Sequence, residues 1–426
     1  MTQTTSSKGS PAQHRAAAPA ALDDRIWNLL DQWLEQRQAE MVSLRRRIHA
    51  EPEASGHEVA TTALVAQMLR QSGLQPRIMA EGLGVIADID LGASSSCRVA
   101  IRAELDCVKV DDDKHVAYAS TRPGLCHACG HDAHSTIALF TALAIHESRS
   151  RLGKLGFKHN LRMIFQPAEE TATGARAMID QGALEHVKAI LAVHVEPFID
   201  AGVIGLRKGP LTSACKSFHI AIKGRSGHSA RPFQAIDPIP AAVQIVDLFY
   251  QLGPRSMDSR YPLSLTVASI NSGSSFNAIP DEAEIRGTLR TARLEDLDAV
   301  QKRMTAVING VAQATGCEIT MDFPQYAPPT NNDGSIIDTM AAAAASLLGP
   351  AGVQWLDVPS LGAEDFAFFQ EVIPGAIVRL GAGLPDKSQR RPLHSSMFDI
   401  NEAALLIGAK FMTRSALMTA MQEPNI

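Results

Sequence analysis

Apolar residues recur three and four apart at the start of the chain: Ile26, Leu29, Leu30, Trp33 and Leu34, with Met41, Leu44 and Ile48 carrying the stripe onward. That spacing keeps one helical face apolar and predicts ordered structure from about Asp23. A second helical pattern covers 58–69 and stops at Gly73. Short β-rich runs follow at 84–90, 98–104 and 160–165, with helical patterns at 135–147 and 174–181. Residues 190–194 (ILAVH) are a further apolar run, ending on a polar side chain. Strands alternating with helices predict an α/β architecture: a mixed, mostly parallel sheet covered by helices.

The pattern changes near Ser213. Residues 216–223 (KSFHIAIK) alternate as a half-buried strand does. Helical spacing at 235–252 and 294–315, with strand patterns at 264–270, 283–289 and 318–323, gives the order β-α-β-β-α-β in about 110 residues, a ferredoxin-like arrangement. Pro324, Pro328 and Pro329 punctuate the chain, and alternation resumes at 335–348, 376–380 and 401–418. The simplest division is a tail over 1–22, a first domain in two parts (23–213 and 329–426), and an inserted α+β domain over 214–328. One large irregular α/β domain is the alternative. The chain contains no internal repeat.

Length supports the division, since 426 residues exceed the roughly 250–300 at which single cores stop growing. Hydrophobic residues at 45% and charged residues at 20% exclude disorder over most of the chain. A net charge of -5 without a long basic run argues against nucleic acid or anionic membrane as partners. The longest apolar stretch, 137–145, falls far short of the roughly 20 residues that span a bilayer. The 6 cysteines are irregularly spaced and too sparse for a disulfide scaffold, and no export signal is evident, so the expected location is cytoplasmic. Residues 1–22, rich in Ser, Thr, Ala, Gln and Pro, read as a mobile tail.

Four places carry candidate chemistry. The densest is CHACGHDAH (126–134), which offers thiolate, imidazole and carboxylate, the usual ligands of zinc and its neighbours. Cys129 and His131 lie two apart, and the amides of a following helix would favour a thiolate at Cys129. A redox pair formed by Cys126 and Cys129, or ordinary surface histidines, are the other readings of this cluster. Next is Glu169-Glu170, the chain's sole Glu-Glu pair, directly after the apolar run 161–165. Carboxylates at the carboxyl end of a strand sit where open α/β sheets place ligands. One could bind metal while the other accepts a proton; a solvated acidic turn is the plainer reading. His194, at the end of an apolar run, and His394, in PLHSS (392–396), complete the set; neither is informative alone.

Together these segments resemble the M20 metallopeptidase family, in its amidohydrolase branch of aminoacylase-like, hippurate hydrolase-like and auxin-conjugate hydrolase-like enzymes. The stretches that carry the likeness are RRRIHAEPEASGHEVAT (45–61), RAELD (102–106), HACGHDAH (127–134), QPAEETATGARAMIDQGAL (166–184), AVHVEP (192–197), KGRSGHSARPFQAIDP (223–238), NAIPDEAEIRGTLR (277–290), GAEDF (362–366) and PLHSSMFD (392–399). The resemblance implies two divalent metal ions per subunit, of zinc, manganese, cobalt or nickel. Cys129 would bridge them, and His131, Glu170, His194 and His394 would be the other ligands. It implies Glu169 as general base and Asp106 as a residue that orients a ligand. His228 would act in catalysis and substrate binding from the partner subunit, and Asn277 and Arg290 would bind the substrate carboxylate or the oxyanion. The inserted domain becomes a lid and dimerisation domain on a catalytic domain, and the partners are a small carboxylate-bearing amide and a second copy of the chain. The implied activity is metal-dependent hydrolysis of N-acyl amino acids. A metallo-dipeptidase is the alternative within the chemistry, and a metal-free binding or regulatory homologue the alternative outside it. The chain departs from the family pattern at Glu104, at Lys109 in place of Pro, in the charged loop 111–115, and at Phe233 in place of His. Cys126 is expected to be a bystander.

Overall fold

The computed structural model of the chain describes residues 22–422, apart from 94–95 and 259. The tail expected over 1–22 therefore lies, but for Leu22, outside the described residues.

The strand Arg98–Glu104 shows why the main sheet is covered twice. Val99, Ile101 and Ala103 enter one apolar cluster, while Ala100 enters another. In Asn160–Gln166, Leu161, Met163 and Phe165 take the first cluster and Ile164 the second. Side chains alternate across a strand, so a strand apolar on both faces needs cover on both. Asn160–Gln166, Arg98–Glu104, Val187–Asp200 and Gly375–Gly383 lie side by side and run parallel. Val85–Ile89 and Arg77–Ile78 extend one edge antiparallel. Ile204–Leu206 extends the other edge antiparallel, with Val353–Trp355 parallel to it, making eight strands. Helices Asp24–Glu35, Gln38–Ala50, Val59–Gln71, His131–Glu147, Gly334–Leu348 and Ala403–Ala420 pack on the first face. Gly174–Asp180 and Phe366–Gln370 cover the second. The mixed, mostly parallel sheet under helices is thus the one that the alternation predicts. No helix among the described residues is long and apolar enough to cross a membrane.

Most boundaries shift by one to three residues, and three elements differ more. The stripe from Ile26 to Ile48 is broken at Gln36 and Arg37 into two helices. The helix expected from 135 starts at His131. Its residues 131–146 are all buried, so it has no polar face to give it a period. The run expected at 190–194 is the centre of the 14-residue strand Val187–Asp200.

Residues 214–322 build a second sheet. Ala214–Lys223, Leu263–Ser272, Glu282–Thr291 and Glu318–Asp322 pair antiparallel, in the spatial order second, third, first, fourth. Helices Pro238–Leu252 and Leu294–Thr315 pack against it around a separate apolar cluster that includes Phe218, Ile245, Phe249, Leu289 and Met304. The chain leaves and re-enters the main body at one point. There Thr212 N donates to Thr330 Oγ1 at 2.9 Å, and Thr330 N donates to Thr212 Oγ1 at 3.2 Å.

Candidate metal centre and active site

Cys129, His131, Glu169, Glu170, His194 and His394 converge near the carboxyl ends of the central parallel strands, where an open α/β sheet opens a crevice. The approach depends on Gly130, which precedes the His131–Glu147 helix at φ 84°. A Cβ at that position would stand 2.3 Å from Val195 Cγ2. Only glycine tolerates both the left-handed backbone and this proximity. The contact brings Cys129 Sγ within 3.5 Å of His194 Nε2.

Each histidine is oriented by an oxygen. Nδ1 of His131 lies 2.9 Å from the Asp106 carbonyl and 3.1 Å from its Oδ1. A carbonyl only accepts, so Nδ1 carries the proton and Nε2 faces inward, 3.8 Å from Glu169 Oε2 and 3.9 Å from Glu170 Oε1. Nδ1 of His194 likewise donates to the Val195 carbonyl at 2.8 Å, leaving Nε2 toward Cys129. His134 is fully engaged: Nδ1 donates to Glu104 Oε2 at 2.8 Å and Nε2 accepts from Val195 N at 2.9 Å. It has no lone pair to offer a metal, although it lies on the same helix as His131.

Asp106 ties the pieces together. Besides His131, its Oδ2 accepts from Ser55 Oγ at 2.7 Å and Glu170 N at 3.0 Å. Glu169 and Glu170 sit between Ala168 and Ala172, both of positive φ, and His394 itself has φ 65° and donates its N–H to the Ala128 carbonyl at 2.8 Å. Three non-glycine residues in this region mark a backbone held against its own preference, a feature concentrated at functional sites. His394 Nε2 ends 3.4 Å from Glu170 Oε1.

The donors form overlapping sets. Cys129 with His131 and His194, Cys129 with Glu170 and His394, and His131 with Glu169 and Glu170 each keep their ligand atoms within 4.8 Å of one another. Two of these sets share Cys129. His131 Nε2 and Glu170 Oε1 are buried with no hydrogen-bond partner. Such atoms are expensive to leave unpaired, and a divalent cation satisfies both. A further cluster of His49, Asp112 and Cys126 is different. His49 contacts carboxylates through both nitrogens, and Lys114 Nζ lies 2.7 Å from Asp112 Oδ1 and 3.8 Å from Cys126 Sγ. The protein supplies that cluster's cations itself.

The electrostatics differ from one ligand to the next. Burial and the neighbouring carboxylates of Glu170 and Glu169 push the Cys129 thiol well above its ordinary range. On the protein groups alone, then, the helix amides do not secure the thiolate; a bound cation would, because ligation needs the deprotonated sulfur. Burial opposes a charge on His131, yet Asp106 and Glu104 outweigh it and push its pKa up to about 10. Burial, with Arg379 and His134 nearby, pushes His194 well down, toward the neutral ring a metal takes. Burial also pushes Glu169 well up, and Glu364, Glu170 and Asp365 add to the effect.

Cys129, Glu169, Glu170, His194, Arg290 and His394 line one cavity of about 520 Å³. Arg290 reaches it from the second sheet and donates to the Leu361 carbonyl at 2.9 Å. His228 and Asn277 are not in that lining. Both are exposed: His228 is in a small ribbon where Gly227–His228 pairs with Ala278–Ile279, and Asn277 is in the turn that leads into it. Sequence reasoning passed over the support beneath Glu169. Buried Arg102 donates to Gln166 Oε1 at 2.8 Å and Asp365 Oδ1 at 2.6 Å, and also pairs with Glu104. Asp365 N lies 3.4 Å from Glu169 Oε1. A charged residue inside an apolar strand, Arg102, was the available signal; Arg379 offered the same one.

Comparison with known proteins places this geometry. The family described as Peptidase family M20/M25/M40 matches residues 100–418. The chain is 34% identical to the N-acetylcysteine deacetylase of Bacillus subtilis, covering 89% of this chain and 96% of that protein. It is 34% identical to the IAA-amino acid hydrolase ILR1-like 4 of Arabidopsis thaliana, covering 87% and 83% respectively. Among solved structures, the YXEP protein of Bacillus subtilis, a dinuclear metal binding peptidase, superposes with a TM-score of 0.75 at 32% identity, covering 90% of this chain and 99% of that one.

Proposed function

The chain belongs to peptidase family M20/M25/M40, and from that premise we propose that it is a metal-dependent amidohydrolase. Its substrates in this reading are N-acyl amino acids or similar carboxylate-bearing amides. Cys129, His131, Glu170, His194 and His394 would hold two divalent ions, Cys129 belonging to two of the donor sets. Zinc, manganese, cobalt and nickel all suit this mixed donor set. When bound, such ions act as Lewis acids, polarising a carbonyl and lowering the pKa of water to about 7 from 15.7.

The chain's own groups do the rest. Glu169 accepts the proton of the attacking water and delivers it to the departing nitrogen, since an amide anion leaves poorly. Asp106 fixes the His131 ring and the backbone at Glu170, as an outer-shell carboxylate does. Arg290 holds the substrate carboxylate in the cavity. His228 and Asn277 bind substrate, with His228 also polarising the carbonyl, and they come from the second subunit of a homodimer formed through 214–328. In this division 23–213 and 329–426 form the catalytic domain and 214–328 the lid, whose closure excludes water. A cytoplasmic setting suits the unbridged thiols of Cys107, Cys126, Cys129, Cys215 and Cys317.

One observation carries the reading. Glu169 is a buried carboxyl that accepts one long hydrogen bond, from Asp365 N, and stands 3.8 Å from His131 Nε2, beside donor sets that share a cysteine. The dipeptidase alternative needs an anion to receive a substrate ammonium. Glu364 and Asp365 are already taken by Arg102, at 3.1 and 2.6 Å, which favours a substrate whose amino group is acylated. Glu169→Gln tests the assignment: turnover of an N-acetyl amino acid should fall by roughly 10²–10⁴-fold, with metal content by elemental analysis unchanged. Cys129→Ala should lose metal in the same measurement. Near wild-type turnover in Glu169→Gln would reject the base, and a metal-free wild-type protein would favour the binding or regulatory homologue.

A further inference from the structure

Of the two arginines that line the cavity, Arg379 is the one that the proposed reaction leaves without a task. It lies in the Gly375–Gly383 strand, in register with His194 of the parallel neighbour. Registered residues on adjacent strands share a face of the sheet, with strands about 4.8 Å apart. The half-buried guanidinium therefore stands beside a candidate metal ligand and faces the cavity. Its neighbours in the strand, Ala376, Ile377, Val378 and Leu380, are apolar and buried. Four other charged groups of the lining have partners within the protein. Glu364 and Asp365 meet Arg102, Glu170 meets His394, and Arg290 keeps the Leu361 carbonyl. The Arg379 side chain makes no hydrogen bond or ion pair among the described residues.

A guanidinium next to a cation-binding cluster is repelled by what that cluster holds, unless an anion lies between them. Its fork geometry suits a carboxylate bound through two oxygens. We propose that Arg379 binds a second carboxylate of the substrate, additional to the one held by Arg290, so that the enzyme prefers amides carrying two anionic groups. The second carboxylate comes from an acidic amino-acid side chain or from a dicarboxylic acyl group. This selectivity rests on the hydrolase reading above.

The test compares kcat/KM of the metal-loaded full chain for N-acetylalanine, N-acetylglutamate and N-succinylalanine, in wild type, Arg379→Met and Arg379→Lys. Wild type should favour a dianionic substrate over N-acetylalanine. Arg379→Met should cut that preference by about 10- to 100-fold, as the loss of a charged hydrogen bond does, and Arg379→Lys should keep part of it. Whichever dianion loses its advantage identifies the source of the carboxylate. An unchanged preference, or an equal fall for all three substrates, overturns the proposal. Calorimetric binding of glutarate against butyrate separates this idea from the activity itself. If no N-acyl amino acid is cleaved but glutarate's advantage disappears in Arg379→Met, the hydrolase reading fails and the Arg379 assignment stands. Equal binding of both acids by wild type and variant overturns the assignment.

Discussion

Asp132 follows the candidate ligand His131 and shows how single residues hold the centre from outside. Its Oδ2 lies 2.7 Å from Arg45 Nε and 2.7 Å from His49 Nδ1, and His49 Nε2 reaches Asp112 Oδ2 at 3.2 Å. All three of Arg45, His49 and Asp132 are buried. Burial opposes a charge on His49, but Asp132 and Asp112 outweigh it and hold its pKa up to about 10. A raised value in the folded state means stability that is fully present below the ordinary value of 6.5 and lost as pH rises from there through about 10. His49→Gln should therefore cost roughly 3–5 kcal/mol below pH 6.5, as breaking a buried pair does. Urea midpoints of variant and wild type should converge as pH approaches 10; a gap that is constant across that window would show His49 to be neutral. His49 was legible in the sequence only as part of a family-like stretch. Its carboxylate partners lie 83 and 63 residues away, and no local pattern records such pairs.

At the scale of elements, the site depends on one helix meeting one strand. The His131–Glu147 helix can start where it does because Gly130 lets the backbone turn against Val195. Gly130→Ala should cost roughly 2–5 kcal/mol, adding a left-handed alanine to an overpacked contact, and should reduce metal content by separating Cys129 from His194. Gly56 is the control. It too has a positive φ, 79°, but a Cβ there meets nothing within 4 Å, so Gly56→Ala should cost only about 1–2 kcal/mol and leave metal content alone. Thermal melts with elemental analysis would separate the two. The strand Arg98–Glu104 was legible to the residue, because its alternating apolar positions repeat within a few residues. The start of the helix was not: residues 131–134 (HDAH) look polar, and their burial depends on Glu104, Asp106, Arg45 and Val195, which other elements supply.

The whole molecule poses the remaining question, because His228, on the ribbon, and Asn277, in the turn that leads into it, are exposed outside the cavity lining. If His228 serves the partner's site, two inactive variants should rescue each other. Mixing His228→Ala with Glu169→Gln under exchange conditions should restore about a quarter of the wild-type rate, since half the dimers are hybrids with one intact site. No rescue, or a monomer by sedimentation, would show that His228 does not serve the partner's site. The sequence by itself determined the elements and the donor types, because helical and strand periods are local and a cysteine or histidine is a donor wherever it lies. The likeness to a family supplied which donors belong together. The tertiary structure decided which donors remain available. His134 and His131 lie on one helix, and only their contacts, Glu104 and Val195 for one and Asp106 for the other, separate a spent imidazole from one with a free nitrogen. Arg379 is the converse case: one cation in an apolar strand, set beside His194 by strand pairing. Hydrogen-bonding capacity is filled by neighbours in space, and those neighbours are chosen when the chain folds.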